Sequence, residues 1–229
     1  MRAFFKTGYQ SILSGLLIGV GGCVYLSINP IIGAFLFSLG LLTILNFKLP
    51  LYTGRIGFLF EEQRKENKQV VLYVHNGNTI CANKRVSLIE KISHLVLMWG
   101  GNMLGTYLAA TAFLNTRIGP KLIETVTPIV ETKLNDSFIS LFLLGVGCGA
   151  LMYIAAAGYK IYSYRNSGSD IVGNIFAIIP VAVFILCGFE HCIADMFYMF
   201  LYGEIDFIRL LIITLGNTVG SFLINFLKK

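Results

Sequence analysis

Charge is scarce in this chain. Of its 229 residues only 13% are Asp, Glu, Lys or Arg, while 55% are hydrophobic, a balance that excludes an ordinary soluble domain. The few charges cluster, so Thr7 to Phe47, Ile92 to Thr116, Ser137 to Tyr159, Ile171 to Phe189 and Leu210 to Leu227 hold none. The first of these stretches is long enough for two spans of about 20 residues each, divided at Asn29-Pro30, and six transmembrane helices are predicted in all. Paired cysteine spacing is also missing. Cys23, Cys148, Cys187 and Cys192 lie in or beside apolar segments and Cys81 in a hydrophilic loop, so no disulfide or zinc framework is expected and no metal or cofactor is implied. No GxSxG or HExxH motif occurs, which argues against a hydrolase.

What charge there is reports orientation. The apolar stretch after Arg2 and Lys6 continues past the usual 7 to 15 residues of a signal peptide, so no cleavage is expected. Arg2 and Lys6, then Arg64, Lys65, Lys68, Lys84, Arg85 and Lys91, then Lys160 and Arg165, then Lys228 and Lys229 all fall on one side of the predicted spans. The opposite loops mix Arg117, Lys121 and Lys133 with Glu124, Glu131 and Asp136, or hold Glu204 and Asp206. Lysine and arginine in short loops stay inside, so both termini are predicted cytoplasmic in a multi-pass inner-membrane protein. The net charge of +6 then reflects topology rather than nucleic-acid binding.

The third predicted span carries Gly101-Asn102-Met103-Leu104-Gly105 and the sixth Gly216-Asn217-Thr218-Val219-Gly220. The same GNxxG pattern three spans apart implies two halves of opposite orientation, and glycines four residues apart suit close helix packing. If the halves correspond, each should break a helix at the equivalent place. Lys48-Leu49-Pro50-Leu51-Tyr52-Thr53-Gly54 interrupts the second span and Cys187-Gly188-Phe189-Glu190-His191 the fifth. Non-helical backbone survives in a membrane only where it is buried or lines a polar cavity, so two facing breaks imply a pore or a site. The first half is the longer one. Its surplus falls in an insert over residues 61–85, where Asn76-Gly77 between β-prone runs predicts a cytoplasmic hairpin with His75 as a turn-region surface residue. Residues 1–229 as a whole are predicted to be a single transmembrane channel domain, with 61–85 as an insert between helices two and three.

The fifth-span stretch GFEHCIADMF, residues 188–197, resembles the GFEHxxANMF signature of the formate/nitrite transporter family. Lys6-Thr7 ahead of Ser14-Gly15, the Leu51-Tyr52-Thr53-Gly54 loop and both GNxxG stretches match that family as well, so the resemblance covers nearly the whole chain except the insert. It implies an all-α membrane protein with six helices in two inverted three-helix repeats, an aquaporin-like protomer with helices two and five broken. It further implies a homopentamer in the lipid bilayer with one pore per subunit, passing small monovalent weak-acid anions such as formate, nitrite, lactate or hydrosulfide. His191 matches the family's central histidine, Thr53 the facing threonine, Glu190 the neighbouring glutamate and Phe189 a residue of the apolar lining.

Three departures stand out. Pro50 and Arg55 replace the glutamate and asparagine that usually flank the loop, Asp195 replaces a neutral amide, and Gly173-Asn174 stands where a vestibule lysine is usual. Lys6 remains as the basic match, with Arg55 adding a positive charge to one vestibule. An anion at the bilayer centre costs several kcal/mol unless its charge is balanced or removed. A histidine, whose unperturbed pKa is about 6.5, can donate a proton or a hydrogen bond to it. Lys6 and Arg55 are thus expected to enrich anions, His191 and Thr53 to bind or protonate them, and Glu190 to satisfy backbone donors of the break. Asp195, one helical turn after His191, is a candidate partner for it or for another basic group. An enzyme is not expected, because Glu190, His191, Cys192 and Asp195 are packed too closely in sequence. The rival reading is a non-conducting membrane scaffold or sensor descended from the family.

Overall fold

The computed structural model describes residues 2–59, 72–75, 78–81, 87–163 and 171–228. Most of the 61–85 insert lies outside them, as do Arg165 and Lys229. The chain begins with α1 (Arg2–Ser27) and α2 (Pro30–Asn46). Between these two, the Asn29 side chain accepts a hydrogen bond from the Ile31 N–H and Pro30 opens the new helix, a cap and first-turn proline that fix where it starts. A non-helical segment leads to the single turn α3 (Tyr52–Arg55) and a 3-10 turn over Ile56–Phe58. Within the insert, β1 (Leu72–His75) and β2 (Asn78–Cys81) pair antiparallel with His75 opposite Asn78.

Next come α4 (Leu88–Leu114), α5 (Gly119–Asn135) and α6 (Phe138–Ser163), then α7 (Ile171–Leu186), α8 (Cys192–Tyr202) and α9 (Phe207–Leu227). Among the described residues 3 helices, α1, α6 and α9, are long and apolar enough to cross a membrane, while α2, α7 and α8 are shorter apolar helices. The 27-residue α4 is long enough, but Trp99, Asn102, Thr106 and Thr111 dilute its apolar face. Exposed Ile31, Ile32, Phe35 and Leu39 cover α2, and Leu211, Leu215 and Leu223 cover α9, as surfaces in contact with lipid or another subunit do.

Two helix pairs form the frame. α1 packs along α4 and α6 along α9, with α2 and α7 side by side between them. The approach is close because glycines stand at the crossings: a Cβ at Gly105 would collide with the Ile12 carbonyl, and one at Gly220 with the Val146 carbonyl. α8 lies at the centre, with Cys192, Ile193, Met196, Phe197 and Met199 fully enclosed.

The stretch Arg117 to Asp136, read from sequence as a charged loop, is instead mostly the amphipathic helix α5. Pro120 stands in its first turn, and Leu122, Val126 and Val130 form a buried stripe at four-residue spacing that packs toward α8. Its charged residues outnumber those of a spanning helix, but they face outward, except for one. Lys133 continues the buried stripe. At the far end of α8, Asp206 caps α9, accepting from the Arg209 N–H at 3.0 Å and from its Nη1 at 2.6 Å. Slight burial pushes the Asp206 carboxyl up, yet these hydrogen bonds outweigh it and hold the group below its usual value of 3.8. Arg209 Nε also donates to the Lys133 carbonyl at 3.2 Å, tying the end of α5 to the start of α9.

Candidate functional site

Both breaks end their helix in the same way. After α2, the Lys48 N–H donates to the Leu45 carbonyl at 3.1 Å and the Leu49 N–H to Ile44 at 2.9 Å. After α7, the Gly188 N–H donates to Ile185 at 3.1 Å and the Phe189 N–H to Phe184 at 2.9 Å. This paired pattern needs a residue in the left-handed region between the two donors. Gly188 has φ 66° and Lys48 φ 55°. Glycine takes that conformation freely, whereas a lysine pays about 1 to 2 kcal/mol for it.

Each broken segment is then clamped by the asparagine of a GNxxG motif. Asn102 Oδ1 accepts from the Tyr52 N–H at 2.9 Å, while its Nδ2 donates to the carbonyls of Pro50 at 3.1 Å and Ser11 at 2.8 Å. Asn217 Oδ1 accepts from the Cys192 N–H at 3.0 Å, and its Nδ2 donates to the carbonyls of Glu190 at 2.7 Å and Gly145 at 2.9 Å. In each half one buried amide supplies what the unwound backbone lacks, because an unpaired buried N–H or C=O would cost about 1 to 3 kcal/mol. The role expected for these asparagines was helix packing; the flanking Gly101, Gly105, Gly216 and Gly220 make the close approach and the amides hold the breaks.

Clamped in this way, the breaks meet at Thr53 and His191. Thr53 Oγ1 and His191 Nε2 are 2.9 Å apart, and both residues are buried. His191 also caps α8, its Nδ1 accepting from the Ala194 N–H at 3.1 Å. A backbone N–H can only donate, so Nδ1 carries no proton and Nε2 carries the one it gives to Thr53. The Thr53 hydroxyl hydrogen is thereby left for a further acceptor. Phe184 stacks on the imidazole at 5.4 Å between centroids and 14° between planes, a neighbour that sequence reasoning did not single out. Phe189 lies over Gly147 and lines a cavity together with His191.

Lys133 was missed as well. Its Nζ donates to the Glu190 carboxylate and lies 3.1 Å from Asp195 Oδ1. One expectation changes and one narrows. Glu190 does not cap the backbone of the break but pairs with Lys133, and of the two partners expected for Asp195, His191 or another basic group, it faces that same lysine. The geometric reason is that Nδ1 is already taken by Ala194, whereas α5 brings a cation to the other side of both carboxylates. The readable signal was the spacing Leu122, Val126, Val130, which places position 133 on the buried face.

Two cavities that share no lining residue among the described ones flank this centre. One, of about 440 Å³, is lined by Lys48, Arg55 and Lys160 with Leu41, Leu51 and Phe58. The other, of about 350 Å³, is lined by Lys133, Glu190, His191 and Asp195 with Phe184 and Phe189. They lie toward opposite ends of α6, since Ala156 to Ser163 border the first while α5, which precedes α6, borders the second. Arg55 is in the first cavity, as expected; its Nη2 reaches the Lys48 carbonyl at 3.5 Å. Lys6 is exposed near the start of α1 and lines neither cavity. Pro50 contributes its carbonyl to the Asn102 clamp. Among the described residues no three His, Cys, Asp or Glu side chains converge as metal ligands would.

The chain is similar to known transport proteins over most of its length. It is 22% identical over 269 residues to the formate channel FocA of Haemophilus influenzae, spanning 94% of this chain and 84% of that protein. It is 25% identical over 204 residues to formate channel FocA of Escherichia coli, spanning 84% of this chain but only 64% of that one, and 23% identical over 250 residues to a formate-nitrite transporter of Plasmodium knowlesi, with 94% and 72% spanned. Among solved structures, a pentameric formate channel with formate bound shares the fold at a TM-score of 0.70 and 21% identity over 97% of this chain and 94% of that chain. An ion channel of the same family matches at 0.70 and 18%. The sequence model of that family, described as formate/nitrite transporter, matches residues 74–228. This chain therefore belongs to the formate/nitrite transporter family, whose members are channels and transporters rather than enzymes.

Proposed function

We propose that the chain is a pore for small monovalent weak-acid anions, with formate first among them and nitrite, hydrosulfide and lactate as alternatives. The observation that carries this reading is the buried Thr53–His191 hydrogen bond, which joins two helix breaks between two otherwise separate cavities. Among the described residues Lys48, Arg55 and Lys160 line the first cavity, a basic lining that draws an anion in from that side. At the wall it meets a hydroxyl hydrogen that His191 leaves unused. Apolar Leu51, Phe184 and Phe189 beside the wall exclude a hydrated ion but admit a small neutral acid. The path ends in the second cavity. α1, α2 with α3, and α4 form one inverted half and α6, α7 with α8, and α9 the other; that arrangement is supported by the equivalent helix ends and asparagine clamps. The clustered lysines and arginines support a cytoplasmic position for both termini, and the exposed apolar faces of α2 and α9 fit lipid and a homopentameric assembly.

Flux into proteoliposomes tests the reading. Formate, nitrite, lactate, hydrosulfide and chloride would be compared at several pH values for the native protein and His191→Ala. Selective weak-acid flux that the substitution abolishes supports a pore. No flux of any of these ions through an intact oligomer would leave a membrane scaffold or sensor as the better account.

A further inference from the structure

Lys133 faces two carboxylates with one charge. Its Nζ bonds Glu190 and lies 3.1 Å from Asp195 Oδ1, while Asp195 Oδ2 is buried and accepts no hydrogen bond from any N–H or O–H among the described residues. Asp195 is 1% exposed and Glu190 4%. Because both carboxyls contact the same Lys133 Nζ, they lie beside each other. Two ionised carboxylates cannot bond to each other; with one proton between them they can, and the cluster then carries no net charge. In a low-dielectric centre an uncompensated negative charge is the costly alternative.

We propose that Asp195 and Glu190 share one proton beside Lys133, and that this proton passes to an anion entering from the second cavity, so that a neutral acid meets the wall from that side. The inference rests on the pore reading. His191 is poorly placed as the source, because Nδ1 accepts from Ala194 and the Nε2 proton is given to Thr53. The carboxyl pair lines the same cavity and has an oxygen without a donor. In the transfer, the carboxyl O–H bond breaks as an O–H bond forms on the anion, and the electron pair stays on the carboxylate, whose new charge faces Lys133 Nζ. Water in the cavity reprotonates the pair. The other titratable groups around it are His191, Tyr25 of α1, Cys148 of α6, and Cys192 and Tyr198 of α8. α7 contributes apolar Phe184 and Ile185, and the Arg209 guanidinium of α9 is turned to Asp206. Among the described residues Lys133 alone supplies a contacting cation.

The near-isosteric Asp195→Asn tests this. Infrared spectra of the purified native oligomer near neutral pH should show a protonated-carboxyl stretch that shifts in D₂O and disappears in Asp195→Asn. In proteoliposomes the same variant should lose about tenfold or more of its proton-coupled formate uptake near neutral pH, the lower range of a general-acid contribution, and recover as the bath is acidified. A native spectrum without that band, or flux in Asp195→Asn equal to or above native with the same pH profile, overturns the proposal. A native protein that passes no weak acid would sink the pore reading instead, while the infrared band still decides whether the proton is held.

Discussion

Lys48 and Gly188 occupy the same backbone position, the left-handed residue that ends a helix just before a break, one in each half of the molecule. The glycine adopts it without strain and the lysine does not. Replacing Lys48 by Gly should therefore raise stability by up to about 1 kcal/mol, and Gly188→Ala should lower it by a similar amount. Thermal melting in detergent reads both, and a lower melting temperature for Lys48→Gly would show that its side-chain contacts outweigh the strain.

Asn217→Ala removes the single amide that pairs with the Cys192 N–H and the Glu190 and Gly145 carbonyls. Leaving these groups buried should destabilise the protein by about 3 kcal/mol or more. Asn102→Ala should do the same on the opposite side of the wall. Equal melting of either variant and the native chain would mean that the breaks do not need their clamps.

The tautomer at His191 can be observed directly. Nitrogen-15 spectra of histidine-labelled protein should show a protonated Nε2 and an unprotonated Nδ1 near neutral pH. Thr53→Val should alter the Nε2 signal and leave Nδ1 little changed, because Ala194 still donates to it. A protonated Nδ1 would contradict the cap on α8.

Lys133→Met leaves two buried carboxylates without a cation, which should cost about 3 to 5 kcal/mol. Adding Glu190→Gln and Asp195→Asn to the same chain should restore most of the loss. If the triple variant melts no higher than Lys133→Met, the lysine acts through α5 packing rather than through charge.

Asp206 sets a pH dependence outside the spans. Its carboxyl titrates below the unfolded value of 3.8, so its contribution is complete above that value and lost as pH falls through the folded one. Asp206→Ala should cost about 1 kcal/mol near neutral pH, as N-cap removals do, and the gap should narrow in acid. A gap that is constant down to pH 3 would exclude the charged cap as its source.

How much could be read in advance differs from element to element. The two breaks were legible because Pro50, Gly54 and Gly188 interrupt otherwise uniform apolar runs, and Thr53 and His191 were singled out within them by the resemblance to the family motif. The GNxxG glycines were legible from their four-residue spacing. The asparagines between them were misjudged, since an amide's partners are set by which distant backbone comes near, and no local pattern states that. Lys133 was hidden for a related reason: α5 also carries exposed Lys121, Glu124 and Glu131, so one more charge attracted no notice until the helix was seen to turn it inward. Most of the insert, with its expected turn at Asn76-Gly77, lies outside the described residues.

The two cavities share no lining residue, and that partition has an electrical consequence. Where both ends of a path are wet, nearly the whole membrane potential falls across the dry wall between them. Each elementary charge crossing that wall gains or loses about 2.3 kcal/mol per 100 mV, whereas a neutral acid crosses it without sensing the voltage. The current recorded per molecule moved would then count how many permeants cross the Thr53–His191 wall as ions and how many as acids.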